Sequence, residues 1–263
     1  MPAFVARIDT TSRVASVRSR RRASRTTRAS TDAMSSAGGP SSTSASAEAS
    51  AEALASSSGR RVPRDHEVGV MPRAQLSTTD EEDLWVFGYG SIVWRVGFEY
   101  DDVRAPVCAR GFRRRFYQGS TDHRGTTEFP GRTATLERCE EGEVCWGAAY
   151  KVSAAARRDV LEYLEVREKQ YDERIEIDLY DVDDVMAMPI ITNAVTYIAT
   201  PAEINLNWLG DASDLPEQIA RAVGPSGENS EYLYNLCEAL RGMNIRDDNL
   251  YALEKRVREI RGD

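Results

Sequence analysis

Hydrophobic positions are sparse until residue 84 and then fall into two regimes. Leu84–Tyr89 (LWVFGY) is a compact apolar run punctuated by Gly88 and Gly90, which predicts a buried strand entering a turn. Val103–Cys108 and Phe112–Gln118 have strand composition on either side of Gly111. Two glycine-bearing stretches, Gly119–Gly125 and Pro130–Gly131, read as loops. Thr133–Leu136 and Val144–Val152 read as strands joined by the acidic turn Glu140–Glu143. Ser153 is then placed to cap a helix of about 15 residues. Within Arg174–Val182, Ile175, Ile177 and Leu179 alternate with Arg174, Glu176 and Asp178, the period of a half-buried strand. Ala194–Ala199 adds another strand. From Leu215 the period becomes helical: Leu215–Val223, Glu231–Met243 and Asn249–Ile260, with the turn Gly224–Gly227 after the first. Strands first and helices last predict an α+β class, a small closed or strongly curved sheet with helices outside it.

Charge divides the chain. Residues 1–64 hold 11 arginines, no lysine and four acids, leaving 23 bases and 38 acids beyond them: +7 against −15. The first segment has one aromatic (Phe4) and long Ser/Ala/Thr/Arg runs, too little apolar surface to offset chain entropy, so it is expected to be disordered. Its Arg- and Ser-rich, acid-poor composition is that of an organelle transit peptide, chloroplast or mitochondrial. The alternatives are a solvated tail with initiation at Met71, giving a cytoplasmic protein, and a weak nucleic-acid or nuclear signal at Arg18–Arg22. Residues 65–83 read as linker, ending in the acidic run Asp80–Asp83, and the expected division is an arm of 1–80 and a domain of 81–263.

The acidic body disfavours nucleic acid as a partner, since phosphate affinity rests on Lys and Arg. No stretch approaches the ~18 apolar residues of a membrane span. Cys108, Cys139, Cys145 and Cys237 form no CxxC and lack neighbouring histidines, so they read as reduced, packed thiols, with neither zinc nor a disulfide framework.

Four segments are candidates for chemistry. In Phe87-Gly88-Tyr89-Gly90-Ser91-Ile92, two glycines at a strand end let backbone N–H groups approach an anion. Val93 breaks a dinucleotide fingerprint and no Gly-Lys-Ser/Thr exists, so an ordinary strand–turn is the competing reading. Glu168 is the second. Taking 100° per residue from Val160, Leu164 falls at roughly 40°, Glu168 at roughly 80° and Leu161 at roughly 100°. A carboxyl on that apolar arc, at the negative end of the helix dipole, suits general acid/base work. Arg157 and Arg167 share the arc, so a structural ion pair is an equal alternative. Ser120, Asp122 and His123 lie too close in sequence to form a nucleophilic triad and too few to hold a metal; Gly119–Gly125 reads as a polar loop at a pocket rim or as a solvated turn. In Gly224–Tyr232, Asn229 or Ser230 is placed to cap the next helix, or that helix start faces a substrate carboxylate.

In order and spacing, WVFGYGSIVW (85–94), RRRFYQGSTDHRG (113–125), PGRTATL (130–136), WGAAYKV (146–152), YLEVREKQYD (163–172) and AVGPSGENSEYL (222–233) resemble the ChaC-like γ-glutamylcyclotransferases from Trp85 to about Leu253. Gln170-Tyr171 departs from the Gly-Gly-Tyr of animal and bacterial members and looks like the plant and algal branch. Ile92 stands where leucine is usual. The resemblance implies a γ-glutamylcyclotransferase-like small mixed β-barrel with flanking helices and neither metal nor organic cofactor. It implies a substrate loop at Phe87–Ile92 and Glu168 as general acid/base. The implied reaction converts glutathione to 5-oxoproline and L-cysteinylglycine, with no obligatory protein partner. Arg124 and Tyr232 are secondary candidates for contacts to substrate carboxylates. The competing expectations are a cyclotransferase for other γ-glutamyl amino acids or amines, and a non-enzymatic regulatory module.

Overall fold

The computed structural model describes residues 74–140 and 142–263. The expectations for residues 1–73, disorder and organelle targeting, lie outside the described residues.

Among the described residues nine strands and four helices follow one another as β1 (Leu84–Gly88), β2 (Asp102–Arg110), β3 (Phe112–Ser120), β4 (Gly131–Arg138), β5 (Val144–Val152), α1 (Ala154–Arg167), β6 (Glu173–Tyr180), β7 (Ile191–Ile198), α2 (Leu215–Arg221), β8 (Val223–Gly224), β9 (Gly227–Glu228), α3 (Asn229–Gly242) and α4 (Asp248–Arg261). A single 3₁₀ turn, Ser91–Val93, follows β1. Five strands close a barrel in the order β1-β5-β2-β6-β7, while β3–β4 and β8–β9 are separate antiparallel pairs. Closure comes from β1 against β7, which run parallel with Val86 opposite Val195; the other barrel pairs are antiparallel, hence a mixed barrel. The α+β barrel with helices around it is the architecture the patterning predicts.

Residues 84–89 are apolar throughout because both faces of β1 are covered. Leu84 and Val86 pack with Val160 and Leu164 of α1, whereas Phe87 and Tyr89 pack with the β3–β4 hairpin and with Leu233, Leu236 and Leu240 of α3. Gly147 on β5 lets β1 pass close by: a Cβ there would meet the Gly88 carbonyl oxygen at 2.2 Å.

Several boundaries move by a few residues for identifiable reasons. Ladder bonds carry β3 through Ser120 and start β4 at Gly131, so the intervening loop is 121–130. α3 begins at Asn229, so that side chain does not cap it; its amide instead brackets Arg132, accepting from the backbone N–H at 2.6 Å and donating to the carbonyl at 2.8 Å. Ser230 turns to Glu228. Ser153 holds the N-cap position of α1, but the side-chain acceptor there is Asp83 Oδ1, 3.0 Å from the Ala154 N–H. Residues 74–80 lie along the barrel: Ala74 O accepts from Arg174, Ser77 N–H donates to Glu176, and Thr78 receives the buried Arg157 guanidinium at 2.7 Å. Cys108, Cys145 and Cys237 are buried and Cys139 half-buried, all as free thiols. Among the described residues no helix is long and apolar enough to cross a membrane.

Candidate active site

β1 ends in the two-glycine bend, and the chain turns at once into the 3₁₀ turn closed by Val93 N–H to Gly90 O at 3.0 Å. The N–H groups of Gly90, Ser91 and Ile92 precede that first bond and have no backbone acceptor among the described residues, as at any helix start. The bend is close to α3: a Cβ on Gly90 would sit 3.0 Å from the Tyr232 hydroxyl, tighter than an ordinary contact. Phe87 to Ile92, with Ala134, Glu168, Tyr171, Thr196 and Tyr197, line a narrow recess of about 30 Å³. It meets a wider cleft of about 420 Å³ at three shared residues, Ser91, Glu168 and Tyr171. The cleft falls within the roughly 300–1,000 Å³ usual for small-molecule sites.

Glu168 stands where α1 stops. Its N–H still bonds to Leu164 O at 2.8 Å, but its own φ and ψ (−98°, 25°) leave the helix, so it is the capping residue and not part of the last turn. The side chain is 13% exposed, and its Oε1 is shielded from solvent 3.1 Å from Arg167 Nε. Of the two arginines sharing its arc, Arg167 therefore pairs with Glu168, while Arg157 turns away to Thr78 and Glu82. Arg167 does more than neutralise. Its Nη2 donates to Ser91 Oγ (2.9 Å) and Arg95 O (2.8 Å), and its Nη1 to Val96 O. One guanidinium thus fastens the glycine loop to the carboxylate.

The turn after Glu168 is pinned to the end of β3. Gln118 Nε2 donates to Gln170 O at 2.6 Å, Gln170 Nε2 to Thr121 Oγ1 at 3.0 Å, and Lys169 Nζ lies 2.8 Å from Asp122. Two buried phenols, Tyr89 and Tyr232, and the half-buried Tyr171 lie around the carboxylate. Tyr89 donates to Tyr197 O (2.6 Å), Tyr171 donates to Ala134 O (2.8 Å), and the Tyr232 oxygen accepts from Ala134 N–H (3.2 Å). Burial, reinforced by the Glu168 charge, holds Tyr89 and Tyr171 well above the ordinary phenol value. Burial pushes Tyr232 up to about 12, against a smaller lowering by the Ala134 N–H. All three stay protonated at neutral pH and present hydroxyls, not charges.

The loop and Glu168, far apart in sequence, are thus brought together. Arg124 and Tyr232 both line the cleft, but Arg124 Nη1 is engaged by Glu231 (2.6 Å) and Glu228 O (2.9 Å). Ser120, His123 and Ser226 lie along the same wall. Tyr171, Thr196, Tyr197 and Arg95 also border the site, and sequence patterning alone does not single them out. Tyr171 sits inside the YLEVREKQYD motif, whereas Thr196 and Tyr197 read only as strand residues.

The model of the family described as ChaC-like protein matches residues 84–260. The chain belongs to the ChaC-like family. Among ChaC-like relatives, γ-glutamylcyclotransferase 2-3 of Arabidopsis thaliana is 48% identical over 181 residues, 67% of this chain and 89% of that protein. The human glutathione-specific γ-glutamylcyclotransferase 1 is 40% identical over 191 residues, 69% of this chain and 82% of that one. In three dimensions this ChaC-like chain is similar to the crystal structure of the yeast γ-glutamyl cyclotransferase specific to glutathione, with a TM-score of 0.59 at 29% identity, over 68% of this chain and all of that one.

Proposed function

We propose that the protein cleaves glutathione by cyclising its γ-glutamyl group to 5-oxoproline, releasing L-cysteinylglycine. The observation that carries this is the position of Glu168: a shielded carboxylate at the junction of a narrow recess and a wide cleft, tied through Arg167 to the glycine loop. The relatives named for glutathione support the substrate.

In this reading the recess folds the glutamyl unit so that its α-amine meets the γ-carbonyl carbon, which is catalysis by proximity and orientation. Glu168 takes a proton from the ammonium, and the amine attacks the carbonyl to form the five-membered lactam. The oxyanion and the α-carboxylate face the N–H groups of the 88–92 bend. As the C–N bond to cysteine breaks, Glu168 returns the proton to the departing nitrogen, and the second proton that the attacking nitrogen sheds on becoming the lactam N–H completes the ammonium of cysteinylglycine. The atoms balance without a protein nucleophile. Incubation with reduced glutathione should yield 5-oxoproline and cysteinylglycine in equal amounts by mass spectrometry. Turnover of γ-glutamyl-alanine but not of glutathione would replace the substrate, and turnover of neither would remove the reading. Organelle targeting by the Arg/Ser-rich arm is part of the proposal, and a fluorescent reporter carrying residues 1–80 that stayed cytosolic would refute it.

A further inference from the structure

The cleft outside the recess has a charge of its own. Within a body of −15, four cations line it (Arg95, Arg124, Arg167 and Lys169) against one carboxylate, Glu168. Three of the four are engaged by acids: Arg124 by Glu231, Arg167 by Glu168 and Lys169 by Asp122, at 2.6, 3.1 and 2.8 Å. Arg95 has no carboxylate within ion-pair distance among the described residues, and the residue is exposed.

Its backbone, by contrast, is firmly held. Arg95 N–H donates to Ser91 O at 2.9 Å, and Arg95 O accepts from the Arg167 guanidinium that also touches Glu168. The residue before it, Trp94, packs edge-on against Tyr232 with ring centroids 5.2 Å apart. A guanidinium with no carboxylate partner among the described residues is therefore carried at the cleft, on a backbone that one Arg167 side chain links to Glu168. In the proposed reaction, a substrate whose glutamyl end fills the recess extends its other end into the adjoining cleft that Arg95 lines.

We propose that Arg95 reads the C-terminal carboxylate of the substrate and so selects γ-glutamyl peptides ending in a free acid. This rests on the cyclotransferase reading and adds a specificity determinant to it. Arginine suits such a role because it is charged at every working pH and meets a carboxylate with a planar two-pronged donor set. In a body that otherwise repels anions, such a group also steers the acidic end of the substrate inward.

The test compares glutathione with its glycyl monoethyl ester, which keeps the γ-glutamyl-cysteinyl part and masks only the terminal charge. The unsubstituted chain should process the acid with a kcat/KM about tenfold above that of the ester, the scale of one charge-assisted hydrogen bond. Arg95→Ala should raise KM for glutathione by a similar factor with kcat little changed, because the contact is present in ground and transition states alike. The acid-to-ester gap should close in Arg95→Ala and reopen partly in Arg95→Lys. Equal handling of acid and ester by the unsubstituted chain, or an equal loss on both in Arg95→Ala, would overturn the assignment while leaving cyclotransferase activity standing. Absence of turnover on either compound would overturn the cyclotransferase reading as well.

Discussion

Glu168→Gln should abolish most turnover while leaving the fold in place. Glutamine keeps the length and shape of the side chain and an acceptor for Arg167 Nε, now 3.1 Å from Oε1. What it loses is the ability to take a proton. General acid/base catalysis is worth about 10²–10⁴ in rate, so cysteinylglycine release should fall by that span at saturating glutathione, with KM moving far less. The melting temperature should stay close to that of the unsubstituted protein, because the helix end is held by main-chain bonds and by Gln118, Thr121 and Asp122. The decisive comparison is with the ion-pair alternative. If Glu168 served only to neutralise Arg167, the Gln variant would lose stability and keep near-normal kcat. A full-rate, less stable Gln variant would therefore end the role assigned to this residue.

The main outline of the fold is legible in the sequence because it rests on local signals. The run 84–89 is apolar on both faces and is buried on both; 174–179 alternates and ends half-buried, with Ile177 and Leu179 inside and Asp178 outside. The glycine bend and the inward placement of Glu168 at the end of α1 are also readable, the one from composition and the other from helical period, although the helix stops one residue before Glu168. What escapes are partnerships between residues distant in the chain. Asp83 accepts from the first N–H of α1 across 71 positions, and Arg167 reaches Ser91 across 76. No periodicity encodes such a pair. Asn229 departs from its expected cap for the same reason: its side chain is diverted to a backbone 97 positions away. The exposed arginine at the cleft mouth escapes too, since its distinction is the acid it lacks and not the residues beside it.

The largest stability effect is expected at one of these distant pairs. Arg114 on β3 is only 3% exposed and lies beneath the two-glycine bend, where its Nε donates to Tyr89 O at 3.0 Å and Nη2 donates to Trp146 O. Its single carboxylate partner among the described residues is Asp247, 19% exposed and bound through Oδ2 to Arg114 Nη1. The other oxygen of Asp247 caps α4, accepting from Leu250 N–H at 3.1 Å. Asp247→Ala therefore strands a buried guanidinium and uncaps a helix in one step. Removing one member of a buried pair costs about 3–5 kcal/mol and a cap about 1, and the partial exposure of Asp247 places the sum near 4 kcal/mol. For a chain of this size that corresponds to a fall of roughly 8–16 °C in Tm by calorimetry. Asp247→Asn, which keeps a capping oxygen, should recover about 1 kcal/mol of it. Because Arg114 also supports the Tyr89 carbonyl, both variants should raise KM for glutathione if the 87–92 loop holds the substrate as proposed. The double replacement Arg114→Met with Asp247→Leu removes both charges at once and should be more stable than Asp247→Ala alone. If the double variant were instead the least stable of the set, the loss in Asp247→Ala could not be assigned to an uncompensated charge, and the packing of Arg114 against β5 would have to carry the stability itself.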